Sequence, residues 1–509
     1  MARKLNVLQI GYTNIKPEIL PLGLHWEWQD LVELEKLDSQ QLKERYPKKF
    51  EVVIIEPNNL AIEWSWLTTL VDPYRVFYLH TDNESASSEL LHWLQCKLAK
   101  PLNLDELEAQ VGQWMKSLFP KQAYGEGYDA RTISIHPTLQ NQVIYEANHY
   151  VSFESESDDY RPILTWNRNI PVKANEPMEL WLTQVTEGDC NLRLKLVKFL
   201  TGSVDLIEAV ELVEISGRAT PIIIESNRDL SVSVSLEAKG KGKARIGKFH
   251  WRESRLEQGL FLPGGRRIVD SYGDELIYYF HPGDLKPPLN VYFSGYRSLE
   301  GFEGFFMMEQ LGSPFLLIGD PRLEGGAFYM GSEEYEQAMV QTIQKHLDYL
   351  GFTNQQLVLS GLSMGTYGAL YYGALLEPAA IVLGKPLASI GTVALNGMLV
   401  RPTEFYTSFD VVYALTQYNN RMAARQVDER FWQQFKKGNF NQTLFAIAYM
   451  QQDDYDATAY YDVLVNLEES RSRVISKGFV GRHNDDSAGI FDWFFKQYQL
   501  IMQDQFQRE

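Results

Sequence analysis

Ser363 lies in Gly361-Leu362-Ser363-Met364-Gly365, between a short apolar strand pattern (Gln356 to Ser360) and a helical pattern (Thr366 to Tyr372). A serine flanked by glycines on a strand-to-helix turn is a nucleophile elbow. The turn is sharp, so small residues must flank the serine. Its Oγ then projects above the sheet, beside the first N–H groups of the helix. A free serine hydroxyl is a poor nucleophile at neutral pH and needs a base. Of the nine histidines, only His483 follows Ser363 in the chain. In the fold built on this elbow the chain order is serine, then an acid, then histidine. His483, in a loop just after the last strand pattern, is therefore the candidate base.

The acid should follow the strand before the histidine strand, where the chain reads Gln451-Gln452-Asp453-Asp454-Tyr455-Asp456. Its role is to hold the imidazole tautomer and stabilise the imidazolium. Asp453, closest to the strand end, is preferred; Asp454 and Asp456 are the alternatives. The oxyanion hole calls for the N–H of Met364, the residue after the nucleophile, and a second N–H from the loop after the strand Leu289 to Ser294. That loop is Gly295-Tyr296-Arg297, with Tyr296 the candidate and Arg297 its neighbour. Gly325-Gly326 is read as either a substrate contact or a plain turn. No metal-binding spacing and no cofactor motif stand out, and the acyl donor is not readable.

These residues need a scaffold, and the length of 509 residues suggests two to four domains. Residues 1–150 read as a Rossmann-like α/β domain, with buried parallel-strand patterns at Leu5 to Gly11, Phe50 to Ile55 and Arg75 to Leu79. No G-x-G-x-x-G follows the first of these, which argues against a dinucleotide site. Residues 151–255 alternate with period two, as in Leu230 to Leu236 and Leu192 to Leu196, and suggest a β-sandwich-like domain. Trp166 and Trp181 there are read as core residues, with sugar stacking as the sharper alternative. Lys239-Gly240-Lys241-Gly242-Lys243, followed by Arg245 and Lys248, is read as a solvated hairpin loop. Contact with an anionic lipid surface or a partner protein is the alternative. Residues 256–509 alternate strand and helix and carry the elbow, which predicts an α/β-hydrolase-like catalytic domain with Ser-Asp-His order.

Composition narrows the function classes. Hydrophobic residues make up 45% and aromatics 13%, a globular profile. The formal net charge of −18 argues against sequence-independent nucleic-acid binding. Two cysteines, Cys96 and Cys190, give no disulfide framework. The first residues lack an apolar signal region, and Ala379 to Val400 is broken by Lys385 and Pro386. A soluble intracellular protein is expected.

Residues Gly361 to Gly373, with Gly384-Lys385-Pro386-Leu387 downstream, resemble the second accessory Sec proteins of streptococci and staphylococci. The resemblance extends over essentially the whole chain, with residues 355 to 390 its most specific part. It implies a cytoplasmic protein, peripheral to the inner face of the membrane. Its implied partners are two companion accessory Sec proteins, a dedicated export motor ATPase and serine-rich-repeat glycoprotein adhesins. It further implies O-acetylation of N-acetylglucosamine on the adhesin before export, with the triad on Ser363, Asp453 and His483. A non-catalytic export scaffold or chaperone is the competing reading, and an ordinary serine esterase the third.

Overall fold

The computed structural model describes residues 3–79, 86–203, 210–217, 220–401 and 407–508. Among these residues the longer strands form three sheets, arranged in chain order. The first has five parallel strands, Leu5–Gly11, Leu24–Asp30, Val52–Ile55, Val76–Leu79 and Lys100–Leu102, in the order 2-1-3-4-5. Apolar cores cover both faces: Leu8, Ile10, Val53 and Ile55 lie in one, and Val7, Val52, Ile54 and Trp114 in the other. Burial on both faces explains why these strands read as continuous apolar runs.

The second sheet has ten strands and differs from a sandwich of two separate sheets, because its hydrogen bonding is continuous. The 24-residue strand Leu230–Glu253 pairs in turn with Asn191–Leu200, Met178–Gly188 and the 17-residue Tyr150–Trp166. Register shifts near Leu182, Leu236 and Ala238 mark bulges, and bulges let a long strand bend. Both halves of the long strand then contribute to one core, through Val232 and Val234 in one half and Phe249 and Trp251 in the other. The strands Gly125–Tyr128, Ile133–Ile135 and Ile144–Glu146 also join this sheet, so the expected boundary at 150 falls inside it.

Two local expectations change accordingly. Lys239 to Lys243 is the middle of the long strand, not a hairpin loop. Lys241 registers with Glu156, and Lys243 with Glu154 and Glu187, so the cations face acids on neighbouring strands. A Cβ at Gly240 would meet the Asp189 carbonyl oxygen at 2.0 Å, and one at Gly242 the Glu187 oxygen at 2.0 Å. Close backbone approach therefore selects these glycines. Trp166 is buried with its ring 4.5 Å from that of Phe249, and Trp181 is covered by the Arg267 guanidinium at 3.8 Å. These contacts give both tryptophans packing roles.

The third sheet carries the elbow. Its strands are β1 (Arg266–Val269), β2 (Glu275–His281), β3 (Leu289–Phe293), β4 (Phe315–Gly319), β5 (Leu357–Leu362), β6 (Ala380–Gly384), β7 (Leu444–Met450) and β8 (Arg473–Phe479). Their order is β1-β2-β4-β3-β5-β6-β7-β8. β2 runs antiparallel to β1 and β4, and the pairs from β4 through β8 are parallel. The helices that matter for the site are α1 (Met364–Leu376), α2 (Ile390–Val400) and α3 (Ser487–Phe506). The apolar stretch from Ala379 to Val400 resolves into β6, a turn and α2. Among the described residues, no helix is long and apolar enough to cross a membrane.

Buried ion pairs join the second and third sheets. Arg252 donates to Glu300 Oε2 at 2.7 Å and to Glu275 Oε1 at 2.8 Å, and His250 Nδ1 lies 2.6 Å from Glu300 Oε1. Removing one partner from such a pair strands a buried charge, which is strongly destabilising. Glu300 belongs to the segment that follows β3, so the second sheet braces the loop carrying Tyr296.

Candidate functional site

β5 delivers Ser363 to the top of the third sheet. Its backbone has φ +52° and ψ −120°, a conformation uncommon outside glycine. The flanking glycines make that turn possible. A Cβ on Gly361 would lie 2.3 Å from the Gly365 carbonyl carbon, and one on Gly365 would lie 2.0 Å from the Phe293 oxygen. The Ser363 N–H donates to the Gly384 oxygen at 2.8 Å, tying the elbow to the end of β6.

The side chains converge across the loops. Ser363 Oγ is 2.9 Å from His483 Nε2, and His483 Nδ1 is 2.8 Å from Asp453 Oδ2. His483 is 1% exposed and Asp453 8%, so water is largely excluded from the second contact. An ionised carboxylate only accepts. Nδ1 therefore carries the proton, and Nε2 offers its lone pair towards Ser363.

The three neighbouring acids have separate tasks. Asp453 faces the imidazole, and its other oxygen accepts the N–H groups of Tyr455 and Asp456 at 2.8 and 3.2 Å. Asp454 accepts the backbone N–H of His483 at 3.0 Å. Asp456 accepts the N–H groups of Ala388 and Ser389 at 2.9 and 2.8 Å, and burial pushes its carboxyl up to about 7. The geometry thus brings Asp453, of the three, to the histidine ring. Tyr455 lies flat against that ring, with centroids 4.3 Å apart, and the Arg401 guanidinium covers the tyrosine at 3.5 Å. This stack limits rotation of the imidazole.

Met364 opens α1, and the first N–H groups of a helix lack intrahelical acceptors. Tyr296 and Met364 line the same cleft as Ser363, which has a volume of about 610 Å³, within the range of small-molecule sites. Arg297 instead braces its own loop through the Leu299 and Phe302 oxygens, and the Gly295 N–H donates to Glu303 Oε2 at 2.8 Å. Gly325 and Gly326 form a turn, in which Asp320 Oδ2 accepts the N–H groups of Ala327 and Tyr329. That turn packs on the cleft wall, since a Cβ at Gly325 would strike the Tyr296 ring and one at Gly326 the Met364 side chain.

Several cleft residues were not singled out by sequence reasoning: Glu303, Phe328, Lys385, Asn484 and Ser487. Lys385 is the lysine of the recognisable Gly384-Lys385-Pro386-Leu387 string, but nothing local tells where its side chain goes. The stacking role of Tyr455 was hidden for the same reason.

Comparison with known proteins places this chain in a family. The family described as "Accessory Sec system GspB-transporter" matches residues 5–508. An accessory Sec system protein of Staphylococcus aureus (strain NCTC 8325 / PS 47) is 38% identical over 517 residues, covering 100% of this chain and 98% of the relative. A counterpart from Streptococcus gordonii is 36% identical over 514 residues, covering 100% of both. Among solved structures, a chain of the "Glycosylation Associate Protein (Gap123) complex from Streptococcus agalactiae" superposes with a TM-score of 0.89 at 37% identity, covering 100% of both chains. The chain belongs to the accessory Sec system GspB-transporter family, that of accessory Sec protein 2.

Proposed function

We propose that this protein is a serine-dependent acyltransferase that O-acetylates N-acetylglucosamine on serine-rich-repeat adhesins within an accessory Sec export system. The observation that carries the reading is the unbroken run from Ser363 Oγ through His483 to Asp453, at 2.9 and 2.8 Å, facing a cleft. The strand order of the third sheet, with antiparallel β2 and the elbow after β5, supports an α/β-hydrolase-like catalytic domain.

In this mechanism Ser363 Oγ attacks the acyl carbonyl carbon while His483 Nε2 takes the hydroxyl proton. The N–H groups of Met364 and Tyr296 stabilise the developing oxyanion. His483 then returns its proton to the leaving group, and an acyl-enzyme remains on Ser363. A sugar hydroxyl enters, gives its proton to His483 and attacks the ester, which restores the serine. Water in place of the sugar would give hydrolysis, so transfer depends on the acceptor occupying the cleft.

The export role rests on the family and coexists with the chemistry. The relative from Streptococcus agalactiae is part of a complex, which supports companion accessory Sec proteins as partners here. The export motor ATPase, the adhesin and contact with the inner face of the membrane complete the proposed setting. The first two sheets contribute no member of the Ser363–His483–Asp453 relay and are free to serve as the assembly platform.

Mass spectrometry of the adhesin from cells carrying wild type or Ser363→Ala tests both halves. Loss of acetyl groups with export retained is the expected result. Unchanged acetylation would refute the enzymatic half and leave the scaffold reading.

A further inference from the structure

The nucleophile cleft holds a cation that the acyl-transfer steps do not use. Lys385 follows β6, is 8% exposed, and lines the cleft with Ser363, Asn484 and Ser487. Its backbone lies in the left-handed region at φ +56°, a conformation that costs energy for lysine unless the surroundings enforce it. The surroundings do enforce it. The Lys385 N–H donates to the Ala448 oxygen at 2.8 Å, and the Leu387 N–H to Thr366 Oγ1 at 2.8 Å. Asp456 holds the next two N–H groups, those of Ala388 and Ser389. Gly384, the preceding residue, accepts the N–H of Ser363 itself. Lys385 is thus one residue removed from the backbone partner of the nucleophile.

The ammonium is under-compensated. Nζ donates to Ser487 Oγ at 2.7 Å. Among the described residues, no carboxylate lies within 4.0 Å of it. Asp453, Asp485 and Asp486 act on it only from farther away, and burial lowers its pKa. A buried charge with no carboxylate in direct contact is costly, and an ammonium has three N–H donors to place, of which Ser487 takes one. Ser487 opens the 20-residue helix α3, whose first turn is capped by Asp486 through the Gly489 N–H at 3.0 Å, so the cationic character of this wall comes from Lys385. Among the residues lining the cleft, Glu303 is the one acid, and its carboxylate accepts the Gly295 N–H.

We propose that Lys385 and Ser487 form an anion subsite, and that the acyl donor carries a phosphate bonded directly to its acyl group, as in an acyl phosphate. This rests on the acyltransferase reading and deepens it. Lys385 and Ser363 line one cleft and are tied through Gly384, which favours an anion on the leaving group over one at the end of a long carrier. In the donor step the bond from Ser363 Oγ to the acyl carbon forms, and the bond from that carbon to the phosphate oxygen breaks. The serine proton passes to His483, and the phosphate departs with the electron pair, next to Lys385, taking that proton from His483 on its freed oxygen.

The test compares acetyl phosphate with neutral para-nitrophenyl acetate on the full-length protein, for wild type and Lys385→Gln, with thermal melts to verify folding. The expected result is a fall of about 10–100-fold in the ratio of kcat/KM for acetyl phosphate to that for the neutral ester, the range of one charge-assisted hydrogen bond. Lys385→Arg, which keeps the charge, should recover part of that ratio. An unchanged ratio would overturn the proposal, because Lys385 would then serve both substrates equally. Acylation of wild type by acetyl-coenzyme A but not by acetyl phosphate would overturn the donor assignment. Loss of neutral-ester turnover in Ser363→Ala checks the underlying enzymatic reading separately.

Discussion

Asp453→Asn tests the proton relay at the point where the structure makes the sharpest statement. Asparagine has the shape of aspartate but offers one oxygen and one NH₂ group. At this position the orientation of that amide is decided by its neighbours. Asp453 Oδ1 accepts two backbone N–H groups, from Tyr455 at 2.8 Å and Asp456 at 3.2 Å. An amide oxygen satisfies both donors; an NH₂ group satisfies neither. The oxygen of the variant therefore stays on the backbone side, and the NH₂ turns towards His483 Nδ1, where Oδ2 sits at 2.8 Å in the wild type. Nδ1 must then accept, so the ring proton moves to Nε2 and the imidazole can no longer take the proton of Ser363. A wrong-tautomer defect of this kind lowers kcat by about 10⁴-fold, which corresponds to about 5.5 kcal/mol of transition-state stabilisation. The measurement is kcat for para-nitrophenyl acetate hydrolysis, with urea unfolding to verify stability. Asp454→Asn is the control, because an amide oxygen still accepts the His483 backbone N–H. It should lose no more than about tenfold, the scale of one hydrogen bond. Retention of a tenth of wild-type kcat in Asp453→Asn, or an equal loss in Asp454→Asn, would refute the reasoning.

Asp456 has a different signature. Burial raises its carboxyl from 3.8 to about 7, so the folded protein binds that proton more tightly than the unfolded chain. Its contribution to stability is complete below the unfolded value near pH 4 and is lost as pH rises through about 7. Asp456→Asn keeps an oxygen for Ala388 and Ser389 and carries no charge, so it should flatten this dependence. The ceiling is about 4 kcal/mol, from about three pH units at 1.36 kcal/mol each. Urea unfolding at pH 5 and pH 8 spans about two of those units, or about 2.7 kcal/mol, and equal pH dependence in wild type and variant would count against the assignment. Gly365→Ala should destabilise by about 3 kcal/mol or more, because its Cβ would meet the Phe293 carbonyl oxygen at 2.0 Å and neither backbone can move freely. Gly373→Ala on the same helix meets the tip of the Ile381 side chain at 2.5 Å and should cost distinctly less by the same urea assay. The reverse ranking would contradict the packing account.

Much of the third sheet was legible because its signals are local. Five strands, β3 to β7, are short apolar runs bounded by turns, and the elbow is a contiguous string in which Gly361 answers to a steric limit within the turn and Gly365 to the approach of β3 at Phe293. The histidine was readable from chain order alone, since no other follows the serine. The long strand of the second sheet was readable only in part. Its alternation shows at Leu230 to Leu236, whereas Lys239 to Lys243 has the local composition of a turn. Pairing on both edges overrode that composition, with Asp189, Glu187 and the 150–166 strand closing around the glycines.

The sequence by itself determined which residue types are available for acyl transfer and in what order they occur. It favoured Asp453 over Asp454 and Asp456 only by nearness to the strand end, and it gave Lys385 no place in the cleft. Those outcomes depend on contacts spanning large separations: 120 positions from Ser363 to His483, 30 from His483 to Asp453 and 102 from Lys385 to Ser487. Such contacts are set by strand register and by which backbone N–H groups each loop leaves to be satisfied. Only after the sheet has aligned the ends of β5, β6, β7 and β8 does one carboxylate of the three face the imidazole. The same alignment leaves one buried ammonium facing the serine's cleft.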